Sequence, residues 1–244
     1  MAECIHGLEV PLCDVCYPKT LPEKPRAARS TPSTRTPAAS TTSRKSVNAA
    51  EQRVYHVTHV RNLASILTDG LRSADAAPEV DVSSGLTREL RMSAEVAPQA
   101  SVAEYVPFYL APDAVLWEDL RAGGRDETRW SAAARKATPA DFVFLVSTIG
   151  RLGDGVVVAD GDAAATFTRF FAGDGIQRAV ERLHANEDAR RTAEALVHGS
   201  VPFAAVQLIG VANDPVRERV REMVAATFGT ATKVAVYPPW FQSA

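Results

Sequence analysis

Few residues in this chain combine the type and the spacing that chemistry needs. Glu194 is one. It stands where a polar, helix-like stretch containing Asp188, Arg190, Arg191 and Thr192 gives way to a short β-prone run at 195–197, followed by a turn at 198–202 and a second run at 206–211. A carboxylate at the end of a regular element is held more rigidly than one on a loop tip, as a group aimed at a reacting atom must be. The plainer alternative is a solvated charge at a helix end. His56 and Thr58 lie two apart in RVYHVTH and project from one face of a strand, with Asn62 placed to cap the helix that follows. Imidazole, hydroxyl and amide groups at such a junction suit the amide and ribose groups of a ligand, although a lone strand histidine is more often structural. TRELR at 87–91 supplies Arg88 and Arg91, a basic cluster that otherwise reads as a surface charge pair. Near the N-terminus, Cys4, His6, Cys13 and Cys16 form C-x-H-x6-C-x2-C, paired donors that match tetrahedral Zn²⁺. So short a segment would take its folding energy from the metal, and a full ligand set leaves no open position for catalysis. The alternative is a tail that carries these residues by chance.

The elements that must position these groups mix strands and helices irregularly. Strands are expected at 53–59, 106–110, 142–148, 156–159 and 233–237, the second with Tyr105 and Tyr109 on one face. Helices are expected after Asn62 up to Gly70, at 163–171 behind Asp160-Gly161-Asp162, at 176–184, and at 215–228 with Gly229 as a stop. The stretch 121–137 reads as a helix or covering loop, and 71–98 is hard to assign. Without regular βαβ alternation the fold class is α+β, with a mainly antiparallel or split sheet and flanking helices.

Composition divides the chain into a small zinc-binding motif at 1–17, a flexible linker at 18–50 and a main domain at 51–244. The linker is rich in Pro, Ser, Thr, Ala and Arg, and its Lys19, Lys24, Arg26, Arg29, Arg35, Arg44 and Lys45 face only Glu23. It is either a solubilising tether or an arm that tracks phosphates. All three Cys fall in the first sixteen residues, so a disulfide framework is excluded from the main domain. The net charge of -2 gives no global support for nucleic-acid binding, so any basic patch is local. No apolar run suits a membrane span or a signal peptide, and a cytoplasmic, monomeric protein is expected. The main domain has no G-x-G-x-x-G, P-loop or G-x-S-x-G, which argues against Rossmann, nucleotide triphosphatase and serine hydrolase chemistry.

Taken in order, YHVTHVRNLASILTDGL (55–71), TRELR (87–91), VPFYLAP (106–112), ADGDAAATFTRFF (159–171) and AEALVHGSVPFAAV (193–206) resemble the DarT family of DNA ADP-ribosyltransferase toxins. The resemblance covers about 53–237. It implies a compact ADP-ribosyltransferase fold, NAD⁺ as substrate, ADP-ribose transfer to a base in single-stranded DNA, and a macrodomain antitoxin partner of the DarG type. It further implies that His56, Thr58 and Asn62 bind NAD⁺ and that Glu194 and Arg91 are catalytic. Tyr109 would stack on nicotinamide. Arg88, the rival to Arg91, would share nucleic-acid contacts with it. One block departs from the family: after VPFYLAP the chain reads Asp113-Ala114-Val115-Leu116-Trp117, a change expected to alter the nucleic-acid groove. Two alternatives stand beside this reading: an RNA acceptor, and a degenerate binding module in which the zinc motif and basic linker do the main work.

Overall fold

The computed structural model describes residues 47–74, 77–228 and 232–242. The candidate zinc ligands Cys4, His6, Cys13 and Cys16, the linker up to residue 46 and the Gly229 helix stop lie outside them. The chain forms β1 (Arg53–His59), α1 (Leu63–Asp69), β2 (Leu71–Arg72), α2 (Gly85–Ser93), β3 (Glu95–Ala97), β4 (Ala100–Ser101) and β5 (Tyr105–Tyr109). It continues through α3 (Val115–Arg121), α4 (Ala132–Lys136), β6 (Phe142–Thr148), α5 (Ile149–Leu152), β7 (Val156–Ala159), β8 (Phe170–Ala172), α6 (Gly175–His184) and α7 (Glu187–Thr192). It ends with β9 (Glu194–His198), β10 (Ser200–Val201), β11 (Leu208–Val211), α8 (Asp214–Phe228) and β12 (Lys233–Val236).

Eight strands form one sheet in the order β12-β11-β6-β1-β5-β9-β7-β8. Every pairing is antiparallel except β11 with β12. The expected split is visible between β1 and β5, which share the single register pair Tyr55↔Tyr109, whereas β1 and β6 pair along their whole length. Side chains bridge the split where the ladder does not: Gln52 Nε2 donates to Leu110 O at 3.1 Å, and His56 Nδ1 lies 2.8 Å from Pro107 O.

Strand β6 is buried on both faces, so it reads as a continuous apolar run rather than an alternating one. Along β6, Val143 and Leu145 enter the core shared with α1, α6 and α8. Phe142, Phe144 and Val146 enter a second core with Trp117, Trp130 and Phe241.

Four expectations are corrected. The stretch 163–171 is not helical; residues 163–169 form turns and Phe170 begins β8, because the Asp162 side chain and carbonyl capture the following N–H groups and close a loop. Asn62 precedes α1 but makes no side-chain cap bond, since its amide is committed elsewhere. The segment 47–50 belongs to the folded unit rather than to the linker: Ala49 is buried, and Gln177 bonds both Ala49 N–H and Val47 O. The turn at 198–202 contains strand β10, which pairs with β2.

Gly70 ends α1 at φ 79°, a region L side chains avoid, and a Cβ there would lie 2.5 Å from Val201 O. Gly70→Ala should therefore cost about 2 kcal/mol or more, combining left-handed strain with displacement of β10. Urea unfolding checks this; a loss below about 0.5 kcal/mol, the range of neutral surface changes, would contradict it.

Candidate active site

Glu194 opens β9 and pairs with Tyr109 of β5 on one side and Ala159 of β7 on the other. Its backbone is thus fixed in the sheet, and its side chain is only 1% exposed. Two donors meet the carboxylate: Arg91 Nη1 lies 3.3 Å from Oε2, and the Ala163 N–H donates to Oε1 at 3.1 Å. Burial pushes the carboxyl above its ordinary range; Arg91 and the Ala163 N–H oppose this, and the nearby Asp162 charge adds to it. A carboxyl raised on folding contributes stability that is full below its unfolded pKa and lost as pH rises through the folded one. Holding Glu194 ionised therefore costs the fold stability, a cost characteristic of groups kept for chemistry.

Arg91 reaches this carboxylate from α2. Ser84 caps the helix, accepting from Thr87 N–H at 3.0 Å. The Thr87 hydroxyl, one turn before Arg91, donates to Arg129 O at 2.9 Å and fixes the helix against the 125–130 segment. Arg91 Nη2 is buried with no hydrogen-bond partner among the described residues, a donor left over for a ligand. Arg88 is 50% exposed and ion-paired with Asp81 rather than Glu194.

A cavity of about 680 Å³ opens at the split between β1 and β5 and is lined by His56, Thr58, Asn62, Arg88, Arg91, Tyr109 and Glu194 among others. The structure thus brings together every candidate site residue of the main domain, in a volume ordinary for a small-molecule site. Their situations differ. Pro107 O can only accept, so His56 Nδ1 carries the proton; burial holds the ring's pKa down, and the neutral ring keeps Nε2 as an acceptor. Asn62 uses both amide donors, to Thr58 Oγ1 at 3.1 Å and Val80 O at 2.8 Å, and accepts from Val80 N–H at 2.8 Å. It pins the loop that covers the cavity rather than offering a free amide. Thr58 accepts from Asn62, which leaves its hydroxyl proton to donate. The Tyr109 hydroxyl is kept firmly protonated, by burial first and by the Glu194 charge second.

The Asp113–Trp117 departure is divided: Ala114 and Trp117 are buried in the core, Val115 is exposed, and Asp113 pairs with Arg191. Trp117 packs edge-on against Phe142, Phe144 and Phe241, and its Nε1 donates to Trp240 O at 2.6 Å. Only Leu116 of that block lines the cavity. Sequence reasoning missed Asp162, Ala163 and Arg129. Asp162 pairs with Arg129 at 3.2 Å and accepts from Ala164 N–H at 3.0 Å, which presents the neighbouring Ala163 N–H to Glu194. The Asp-Gly-Asp turn signal was the available clue. Among the described residues no group of three or more His, Cys, Asp or Glu can hold a metal ion, and no helix is long and apolar enough to cross a membrane.

The sequence model of DarT, described as ssDNA thymidine ADP-ribosyltransferase, matches residues 55–242. This chain belongs to the DarT family. Curated DNA ADP-ribosyl transferases of Mycobacterium tuberculosis H37Rv and Mycobacterium bovis BCG are each 30% identical over 200 residues, spanning 70% of this chain and 81% of theirs. The DarT of Thermus sp. 2.9 in complex with ADP-ribosylated ssDNA shares the fold, with a TM-score of 0.68 at 21% identity, covering 79% of this chain and 97% of that one. The same Thermus DarT in complex with NAD⁺ gives a TM-score of 0.64 at 22% identity over 79% of this chain and 98% of that one.

The DarT-type arrangement yields a pH prediction. Asp162→Asn keeps the acceptor for Ala164 N–H but removes a negative charge that raises the Glu194 pKa and frees Arg129, so both effects lower it. The acidic limb of the pH–rate profile should move to lower pH. A limb that stays put or moves up contradicts the coupling.

Proposed function

We propose that Glu194 and Arg91 carry ADP-ribosyl transfer from NAD⁺ to a thymine base of single-stranded DNA. The observation that supports this most is the buried Arg91–Glu194 pair at the cavity wall, with Arg91 Nη2 left unpartnered. NAD⁺ as the ligand is supported by the cavity's volume of about 680 Å³ and its lining: an imidazole acceptor, a hydroxyl donor, a guanidinium and an aromatic ring. NAD⁺ supplies an activated ribose carbon and leaves neutral nicotinamide. Arg91 grips anionic or carbonyl oxygen through its spare nitrogen. Thr58 and His56 orient ribose or carboxamide groups, and Tyr109 offers a ring face. Glu194 stabilises positive charge developing at the ribose and takes the proton that the acceptor base loses as its new bond to carbon forms. A single strand presents its bases without the cost of extracting them from a duplex.

Arg88, exposed and already paired, serves the DNA side of the site. A macrodomain antitoxin of the DarG type is the partner this reading calls for, and the cytoplasm is its setting. The N-terminal Cys4, His6, Cys13 and Cys16 are proposed as a structural zinc site on donor chemistry and spacing. The RNA-acceptor reading has no support in the family description, and the intact pair argues against a degenerate module.

Glu194→Gln keeps the size of the side chain and removes its charge and basicity. It should fold normally and lose at least about 100-fold in DNA modification, the scale of a positioned acid–base group. Nicotinamide release with single-stranded DNA present is the measurement. Turnover near wild type would remove Glu194 from the mechanism.

A further inference from the structure

Phe167 is 94% exposed, the most exposed large hydrophobic side chain among the described residues. It sits on a braced loop. Asp160 and Arg169 close the base, with Asp160 N–H donating to Arg169 O at 3.1 Å and Arg169 N–H donating to Asp160 Oδ1 at 2.9 Å. The Thr168 hydroxyl donates to Asp162 O at 2.6 Å, and Thr168 N–H donates to Ala165 O at 3.2 Å. The same loop supplies the Ala163 N–H bonded to Glu194. A full aromatic ring is therefore held in water, four residues from a direct contact to the catalytic carboxylate. Phe167 does not line the cavity. When one base enters a cavity the adjoining bases remain outside it, as Phe167 does. Arg169, largely exposed, pairs with Asp160, and Arg129 at the cavity wall pairs with Asp162, so the loop carries balanced charge and the ring is its main unpartnered feature.

We infer that Phe167 is a stacking platform for a base adjoining the thymine that enters the cavity. This rests on the DNA-acceptor reading above and adds a residue that binds the strand without touching the reacting atoms. Stacking on an aromatic ring is tolerant of base identity because every base has a π face, so Phe167 strengthens binding and sets register rather than reading sequence.

The test uses the full chain and oligonucleotides with one thymine and 2-aminopurine on one side of it or the other. Phe167→Leu keeps an apolar side chain and loses the ring face; Phe167→Trp restores a face. Wild type and Phe167→Trp should quench 2-aminopurine on one side of the thymine. Phe167→Leu should lose that quenching and raise the DNA KM about 5- to 100-fold, with the NAD⁺ KM unchanged. Quenching and DNA KM that survive in Phe167→Leu overturn the proposal. So does a parallel rise in the NAD⁺ KM that Phe167→Trp fails to rescue, which marks a structural role. Failure of wild type itself to modify the thymine removes the DNA-acceptor reading, and the platform with it.

Discussion

A carboxylate buried in the middle of a sheet is unstable unless every atom of it is answered, and the architecture around Glu194 follows from that constraint. An isolated buried charge would neutralise by shifting its pKa. Here Arg91 answers one oxygen and the Ala163 N–H answers the other. Each donor needs its own support. Ser84 and Thr87 anchor α2 so that Arg91 arrives at the right turn. Asp162 folds the 160–169 loop so that Ala163 presents its N–H, and Arg129 ties that loop back to the segment bracing α2. Glu194 nevertheless stays above its ordinary pKa, with its proton affinity moved toward the range in which a base can work near neutral pH.

The split between β1 and β5 supplies the space. Two fully paired strands would leave no gap for a ligand, whereas one register pair at Tyr55↔Tyr109 closes the sheet at one end only. His56 crosses the opening to Pro107, and that bond fixes its tautomer. Asn62 ties the covering loop to the start of α1 through Val80. The groups selected as ligand contacts thus divide by role. Thr58, His56, Tyr109 and Arg91 keep free capacity toward the cavity, while Asn62 spends its donors on architecture.

Much of this was legible in the sequence because the strands are carried by periodic apolar runs with turn signals at their ends. Phe142–Thr148 reads as a buried strand and is one, with its side chains divided between two cores. Glu194 was legible by its place before an apolar run. Other features depend on contacts distant in sequence. Helix propensity in Ala163–Ala165 gives way to the Asp162 turn, a local side-chain contest that composition does not decide. Asn62 has the type of a helix cap, but Val80, eighteen residues on, offers its amide better partners. The Asp113–Trp117 departure looks like a groove change in sequence, yet its Trp117 packs in the core, because it finds Phe142, Phe144 and Phe241 only in the folded chain.

The most direct measurement is mass spectrometry of defined oligonucleotides after incubation of the full chain with NAD⁺. A single-stranded oligonucleotide with one thymine should gain one ADP-ribose, and fragmentation should place it on that thymine. The same sequence with thymine replaced, or held in a duplex, should stay unmodified. NAD⁺ consumption without a DNA adduct, or an adduct on another base, would contradict the assignment of this cavity to thymine modification.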